Sequence, residues 1–408
     1  MRVHMTNKIT AAVVRSDDEA IQIARRLAQE FAVDASRRDR ERGLPRDEVQ
    51  RFSASGLWGI SVPHAFGGAD VSVRTIVDVF ELISAADSSL GQIPQNHFAT
   101  LERLRHDGTP SQNDFFFSRA LAGERFGNAT AEPGDRLPTE HETRVRRSER
   151  GYVLTGRKVY STGALFADWI PVAARDDEGL TVTAFVARHA RGVEVIDDWS
   201  GFGQRTTASG QVRLDAVELD ELQIVKRGRR PNLDAANAVS QIIHAAIDLG
   251  IGRAALDDTK RFLRELSHPA RGSAVKHAVE DPFTLRDIGA LTVAYHAAQA
   301  LTARAASLID DARGEAARAD VVAAIVATAE AKILTTQFAL DASNKLFELA
   351  GTQSTLAAHN LDRHWRNART HTLHDSVRWK YHAVGQYALN GLACDPYTFA
   401  HPYSPVGD

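Results

Sequence analysis

The chain has 408 residues, 43% of them hydrophobic, and its 52 acidic against 49 basic side chains leave a net charge of −3. That is the composition of a globular protein with room for a large core, and it excludes a disordered or fibrous chain. So even a balance gives no basic field for nucleic acid and no attraction to an acidic membrane surface. The single cysteine, Cys394, cannot close an intramolecular disulfide, which suits a reducing compartment, and the cytosol is the expected location. Residues 1–15 carry Arg2 and Lys8 without the apolar run of a signal peptide, and no stretch approaches ~20 uncharged apolar residues, so no membrane span is expected.

Residues 1–124 read as a helical domain. Ser16-Asp17-Asp18-Glu19 predicts a capping box, with Ala20, Ala24, Leu27, Ala28 and Phe31 on one helical face behind it. Gly56, Pro63 and Gly67-Gly68 punctuate the chain before the apolar segment 76–83.

The period changes over residues 125–230. Short β-branched or aromatic runs at 151–160, 169–174, 180–186, 193–196 and 211–214 predict an antiparallel β-domain, with Asp176-Asp177-Glu178-Gly179 as a turn. Gly127 to Gly134 reads as a strand ending in a turn. The basic clusters 144–150 and 226–230 are short and broken by acid or glycine, and they read as solvated loops.

Residues 231–408 return to helices, now long. Ile288, Leu291, Tyr295, Ala298, Thr302, Ala305 and Ile309 keep three- and four-residue spacing, as do Leu334, Phe338, Ala342, Leu346 and Leu349, with Gly351 as the C-cap. Helices of this length predict a bundle that also forms an oligomer interface. The order is therefore an α+β, mainly α, chain: helical domain, antiparallel β-domain, C-terminal four-helix bundle.

Several stretches can carry chemistry. Gly250-Ile-Gly252-Arg-Ala-Ala255 matches the loose dinucleotide fingerprint, but its lead-in, 242–249, has helical spacing where that motif needs a strand, so close helix packing explains the glycines. His359, His364, His371 and His374 lack the spacing of a zinc site, and no metal is expected. His371-Thr-Leu-His374-Asp375 reads either as a polar surface loop or as an acid–base group, because a carboxylate beside an imidazole can fix its tautomer. His97 reads by itself as a hydrogen-bonded core residue. The segments 127–134 and 158–164 are either plain turns or turns that present backbone N–H groups and hydroxyls to a ligand. Asp197-Asp198-Trp199 reads by itself as β-domain packing.

Taken together these stretches resemble the acyl-CoA dehydrogenase superfamily over nearly the whole chain. Glu132-Pro133-Gly134 resembles the strand at the flavin edge, and Lys158-Val-Tyr160-Ser161-Thr162 resembles the lysine-x-aromatic-x-threonine motif beside the isoalloxazine. The resemblance implies that Asn128, Thr130, Ser161 and Thr162 hold the flavin, with Thr162 at N5, and that Trp199 walls the site. It also implies that Gly351 and Thr352 touch the cofactor of a neighbouring subunit in a homotetramer. Relatives place an arginine before a proline at the flavin phosphate; here that place reads His268-Pro269, and Arg271 is expected to serve.

One departure redirects the activity. Where many dehydrogenases carry a Tyr-Glu-Gly-Thr base loop, this chain has His374 and Asp375. The 89–97 segment, the 359–366 segment and the His-Thr-Leu-His-Asp loop look like the monooxygenase branch that includes dibenzothiophene monooxygenase, nearest to the sulfur-acquisition group named for dimethyl-sulfone utilisation. That resemblance implies reduced FMN supplied by a separate reductase, oxygen, a small organosulfur substrate and a C4a-hydroperoxyflavin, with His97, His374 and Asp375 managing protons. The alternatives are an FAD-dependent acyl-CoA dehydrogenase using Asp375 as base, an amine N-hydroxylase, and a flavin-binding protein without turnover.

Overall fold

The computed structural model describes residues 10–134, 141–228, 235–269, 272, 274–313, 316–394 and 402–405. The chain opens with α1 (Asp17–Ala32), α2 (Ala35–Glu41), α3 (Arg46–Ala54), α4 (Val73–Ala86), α5 (Ser88–Gln92), α6 (Gln95–Asp107) and α7 (Pro110–Leu121). Ser16 caps α1 by accepting the Glu19 N–H, and Ala20, Ala24, Leu27 and Phe31 form its buried face. The predicted capping box closes only halfway, because the Glu19 carboxylate takes the Arg15 N–H at 2.8 Å and not that of Ser16.

A seven-stranded sheet follows: β1 (Arg144–Ser148), β2 (Gly151–Lys158), β3 (Trp169–Arg175), β4 (Thr181–Ala187), β5 (Val193–Ile196), β6 (Gln211–Leu219) and β7 (Ile224–Lys226), in the order β5-β6-β2-β1-β3-β4-β7. The five predicted runs are strands. Two expectations are corrected. The basic segment 144–150 supplies β1, in which Val145 is buried and Arg146 and Arg147 are exposed, so the charges lie on an ordered strand and not in a loop. The segment 127–134 is no ladder strand; it touches β3 through isolated parallel bridges, Phe126 to Trp169 and Ala129 to Val172. Phe116 stacks on Phe185 of β4 at 4.1 Å and clamps the first helices to the sheet.

The last region contains α8 (Ala235–Glu265), α9 (Pro282–Asp311), α10 (Arg318–Ala350), α11 (Asp362–His371) and α12 (Val377–Asn390). α10 is the central helix, packed on α8, α9 and α12. By length and composition it could cross a bilayer, but its apolar face is buried in this bundle. Gly351 ends it with φ of +70°, as its C-cap assignment requires. Gly250 and Gly252 lie inside α8: an added Cβ would come within 2.6 Å of the Glu81 carbonyl oxygen at the first and of the Phe338 ring at the second. Those glycines serve helix packing.

Candidate active site

The sheet and the helices meet at a turn built from residues 160–163. Tyr160 and Gly163 both adopt positive φ, +52° and +75°, which folds the chain back at the end of β2. Two straps hold this turn against residues 128–132. Asn128 donates from Nδ2 to the Tyr160 carbonyl at 3.3 Å, and its Oδ1 accepts from Thr130 Oγ1 at 2.9 Å. Glu132 pairs with Lys158 at 2.7 Å and accepts the Thr143 hydroxyl and two backbone N–H groups. Burial alone would raise the Glu132 pKa; those partners outweigh it and hold the carboxyl at about 2.

The hydroxyls of the turn face inward. Ser161 Oγ is buried and has no hydrogen-bond partner, which leaves a polar atom for a ligand to satisfy. Thr162 Oγ1 lies 2.6 Å from Ser209 Oγ, Ser209 Oγ lies 2.7 Å from Thr207 Oγ1, and Thr207 donates to the Gln204 carbonyl at 2.9 Å. Trp199 Nε1 donates to that carbonyl as well. The Trp199 ring stands edge-on to Tyr160 at 6.3 Å, and 63% of Tyr160 is exposed, so the two aromatic rings form a rim.

The 199–210 loop rests on α11. The Gln204 N–H donates to Asn367 Oδ1 at 2.7 Å, and Gly203 passes so close to α11 that a Cβ there would lie 2.0 Å from the Arg366 carbonyl oxygen. This places the hydroxyl chain one helical turn before His371.

His371 belongs to a buried polar stack that the sequence did not reveal. Its Nδ1 lies 2.5 Å from Asp248 Oδ1, and its Nε2 lies 3.2 Å from His244 Nδ1. The His244 ring stacks on His374 with centroids 3.8 Å apart. Asp248 also receives Lys332 Nζ at 2.6 Å and Thr336 Oγ1 at 2.9 Å. Burial would raise the Asp248 pKa, but Lys332 and His371 pull it down to about 2. His374 sits at the outer end of the stack, open to solvent on one side. Loss of water on its stacked face lowers its pKa, with Asp375 opposing. Apolar periodicity hid this set, although charged Asp248 and Lys332 inside otherwise apolar helical stripes were the available signal.

The remaining expected residues fall in different surroundings. Asp375, expected to support His374, acts on it through its charge, while its carboxylate pairs with Lys380 at 3.1 Å. Lys380 in turn donates to Gln241. His97 was expected near the reacting centre as a proton-handling group, yet it is a core residue. Its Nδ1 accepts the Phe126 N–H at 3.1 Å and its Nε2–H donates to the Trp58 carbonyl at 2.8 Å. With both nitrogens bonded to backbone it has no proton to exchange; it positions the start of the 126–130 segment. Burial lowers its pKa to about 3. Gly351 and Thr352 are exposed at the end of α10 and share no hydrogen bond with the other candidates among the described residues. Arg271 lies outside the described residues. No group of His, Cys, Asp and Glu among the described residues is arranged to hold a metal.

A cavity of about 670 Å³ runs between α1, α4, α8 and α11, with Thr206 and Asn367 among its lining residues. Alanines 28, 32, 85 and 254 with Ile251 contribute to its apolar lining, and Arg25, Asp87, Arg253, Asp257, Asp258 and Arg363 are among its charges. Asn367 is the residue that holds the Gln204 N–H, so this cavity reaches the back of the hydroxyl chain.

Three family models match: the acyl-CoA dehydrogenase N-terminal domain over residues 16–124, the middle domain over 129–217 and the C-terminal domain over 242–379. Among curated proteins the chain is 30% identical to dibenzothiophene monooxygenase of Rhodococcus qingshengii, over 92% of this chain and 94% of that one. It is also 30% identical to the probable FMNH2-dependent monooxygenase SfnC of Pseudomonas putida, over 91% and 95%. Among solved structures, methanesulfinate monooxygenase MsuC from Pseudomonas fluorescens superposes with a TM-score of 0.86 at 29% identity, covering 93% of this chain and 99% of that one.

Proposed function

The chain belongs to the acyl-CoA dehydrogenase family, and from that premise we propose that it is a flavin-dependent monooxygenase that takes reduced FMN from a separate reductase and oxygenates a small organosulfur compound. The observation that carries this reading is the state of the 371–375 loop. A dehydrogenase base must be a carboxylate free to reach a substrate proton. Here the carboxylate of Asp375 is tied to Lys380, and the group offered on the loop is the His374 imidazole, stacked on His244. The relatives named above supply the flavin and the substrate class.

The residues fit a flavin ring. Asn128, Thr130, Ser161 and Thr162 present polar atoms along one edge, and Ser161 Oγ is a buried atom in need of a partner. Tyr160 and Trp199 cover the rim, where they restrict water, whose entry favours peroxide loss over transfer. A bound reduced flavin would supply the oxygen chemistry, activating O2 so that one oxygen atom reaches sulfur. His374 holds the proton that decides how that oxygen leaves; the Asp248–His371–His244 chain behind it fixes the tautomer of His371 and holds His244 beneath the His374 ring. The substrate reaches the site from the 670 Å³ cavity.

Arg271 takes the FMN phosphate, and Gly351 with Thr352 contacts the flavin of a neighbouring subunit in a homotetramer. The apolar side chains left exposed on α9, Phe283 at 74% and Val293 at 70%, support such an assembly. One cysteine in 408 residues suits a cytoplasmic enzyme.

The test is an aerobic assay of the purified chain with FMN, NADH and a flavin reductase, offering dimethyl sulfone, methanesulfinate and dibenzothiophene in turn. An oxygenated product that requires every component supports the reading. Absence of product, together with bleaching of bound flavin by an acyl-CoA, overturns it.

A further inference from the structure

We propose that Ser209 and Thr207 set the direction of the Thr162 hydroxyl, so that the site selects flavin that carries a hydrogen on N5. The inference rests on the reading above that Thr162 faces N5. A hydroxyl has one hydrogen to donate, whereas a carbonyl oxygen only accepts. The chain of contacts ends at the Gln204 carbonyl, which receives the Thr207 hydroxyl at 2.9 Å. The Thr207 hydrogen is thereby used. Ser209, 2.7 Å away, must donate to Thr207, and Thr162, 2.6 Å from Ser209, must donate to Ser209. Thr162 is left with lone pairs alone for whatever lies beyond it.

The three hydroxyl residues are at most 6% exposed, so no bulk water is at hand to reverse the chain. The carbonyl at its end is fixed in turn: the Gln204 N–H is held by Asn367 and its oxygen also accepts from Trp199. Reduced flavin has an N–H at position 5 and meets the Thr162 lone pairs as a donor. Oxidised flavin has only a lone pair there, and two lone pairs repel. Ser209 and Thr207 touch no ligand themselves; they are positioning residues, and through Thr162 they discriminate between two oxidation states of one cofactor. An enzyme that must collect reduced FMN from another protein, in a cell where the oxidised form competes for the same site, has use for that discrimination.

The experiment is anaerobic titration of the full chain with FMN and, separately, with dithionite-reduced FMN, giving the ratio of the two dissociation constants. Ser209→Ala releases the Thr162 hydrogen, and Thr207→Val cuts the chain from its carbonyl. Each is expected to lower the preference for reduced FMN by about tenfold, the worth of roughly one neutral hydrogen bond, which corresponds to ~30 mV in the two-electron potential of the bound flavin. Thr207→Ser keeps the hydroxyl and should hold the wild-type ratio. Near-ultraviolet circular dichroism checks that the variants fold, and because they break the chain at two places, one folded variant suffices. An unchanged ratio in Ser209→Ala and Thr207→Val, while Thr162→Val does alter flavin affinity, overturns the relay and leaves the flavin reading standing. Failure of the wild-type protein to bind FMN in either state overturns both.

Discussion

His371 Nδ1 lies 2.5 Å from Asp248 Oδ1, and this contact makes a carboxylate buried within α8 the anchor of the imidazole stack that ends at His374. The other Asp248 oxygen neutralises Lys332, whose side chain is wholly buried in α10. Removing one member of a buried ion pair leaves the other charged and unsolvated, at a cost of about 3–5 kcal/mol. Asp248→Asn should therefore lower stability by roughly that amount in urea unfolding. The double variant Asp248→Asn/Lys332→Met, which removes both charges, should recover most of it. A single-variant loss below about 1 kcal/mol would contradict the anchoring role.

His97 gives the protein an acid limb. Its folded pKa, about 3, is depressed from an ordinary histidine value near 6.5 because protonation would place a charge in the core. Between these two values the unfolded chain binds the proton and the folded one does not. The contribution is complete above pH 6.5 and is lost as pH falls toward 3, by about 1.4 kcal/mol per pH unit. His97→Phe should flatten that slope in denaturation midpoints measured from pH 7 to pH 4. It should also cost about 2–5 kcal/mol at pH 7, because the Phe126 N–H and the Trp58 carbonyl lose their partner.

His374 should matter for coupling and not for holding the cofactor. Its ring packs on His244 and has a solvent-facing side. His374→Ala should cut oxygenated product by about 10²–10⁴-fold, the usual worth of one positioned acid–base group. Reduced FMN should still be consumed, now as hydrogen peroxide, and FMN affinity should change by no more than about threefold. Product and peroxide measured in the same reaction check this; a parallel fall of both would place His374 in cofactor binding.

The glycines of α8 offer a separate check. Gly252→Ala pushes a methyl group into the Phe338 ring, where the built Cβ lies at 2.6 Å. Overpacking of that kind costs about 1–3 kcal/mol. Thermal melting should register the loss, and NADH should bind neither wild type nor variant. Saturable NADH binding abolished by the substitution would restore the dinucleotide reading.

The domain order and the long helices were legible because apolar residues at three- and four-residue spacing specify a buried stripe, as Leu291, Ala298, Thr302 and Ile309 of α9 do. The β1 strand was not legible, since its buried face shows in sequence as one valine among arginines and a serine. At the site, the 158–162 motif pointed to the hydroxyl wall, but not to the partners that orient it. Ser209 and Thr207 lie some 45 residues further on and meet Thr162 only because two turns pack together. Asp248, His244 and Lys332 escaped for a related reason: a charged residue in a helical stripe reads as an exposed position until its counterion is seen on another helix. His97 was the opposite case: by itself it read as a hydrogen-bonded core residue, only the resemblance implied a proton role, and its two backbone bonds match the residue reading.

The most direct measurement of the central claim is a single turnover under 18O2. The chain is loaded anaerobically with one equivalent of reduced FMN and an organosulfur substrate, mixed with 18O2-saturated buffer, and the product is analysed by mass spectrometry. One 18O atom per product molecule, with peroxide a minor fraction, is the predicted result. Unlabelled substrate recovered intact, with all the oxygen released as peroxide for every sulfur compound that the relatives suggest, would contradict it.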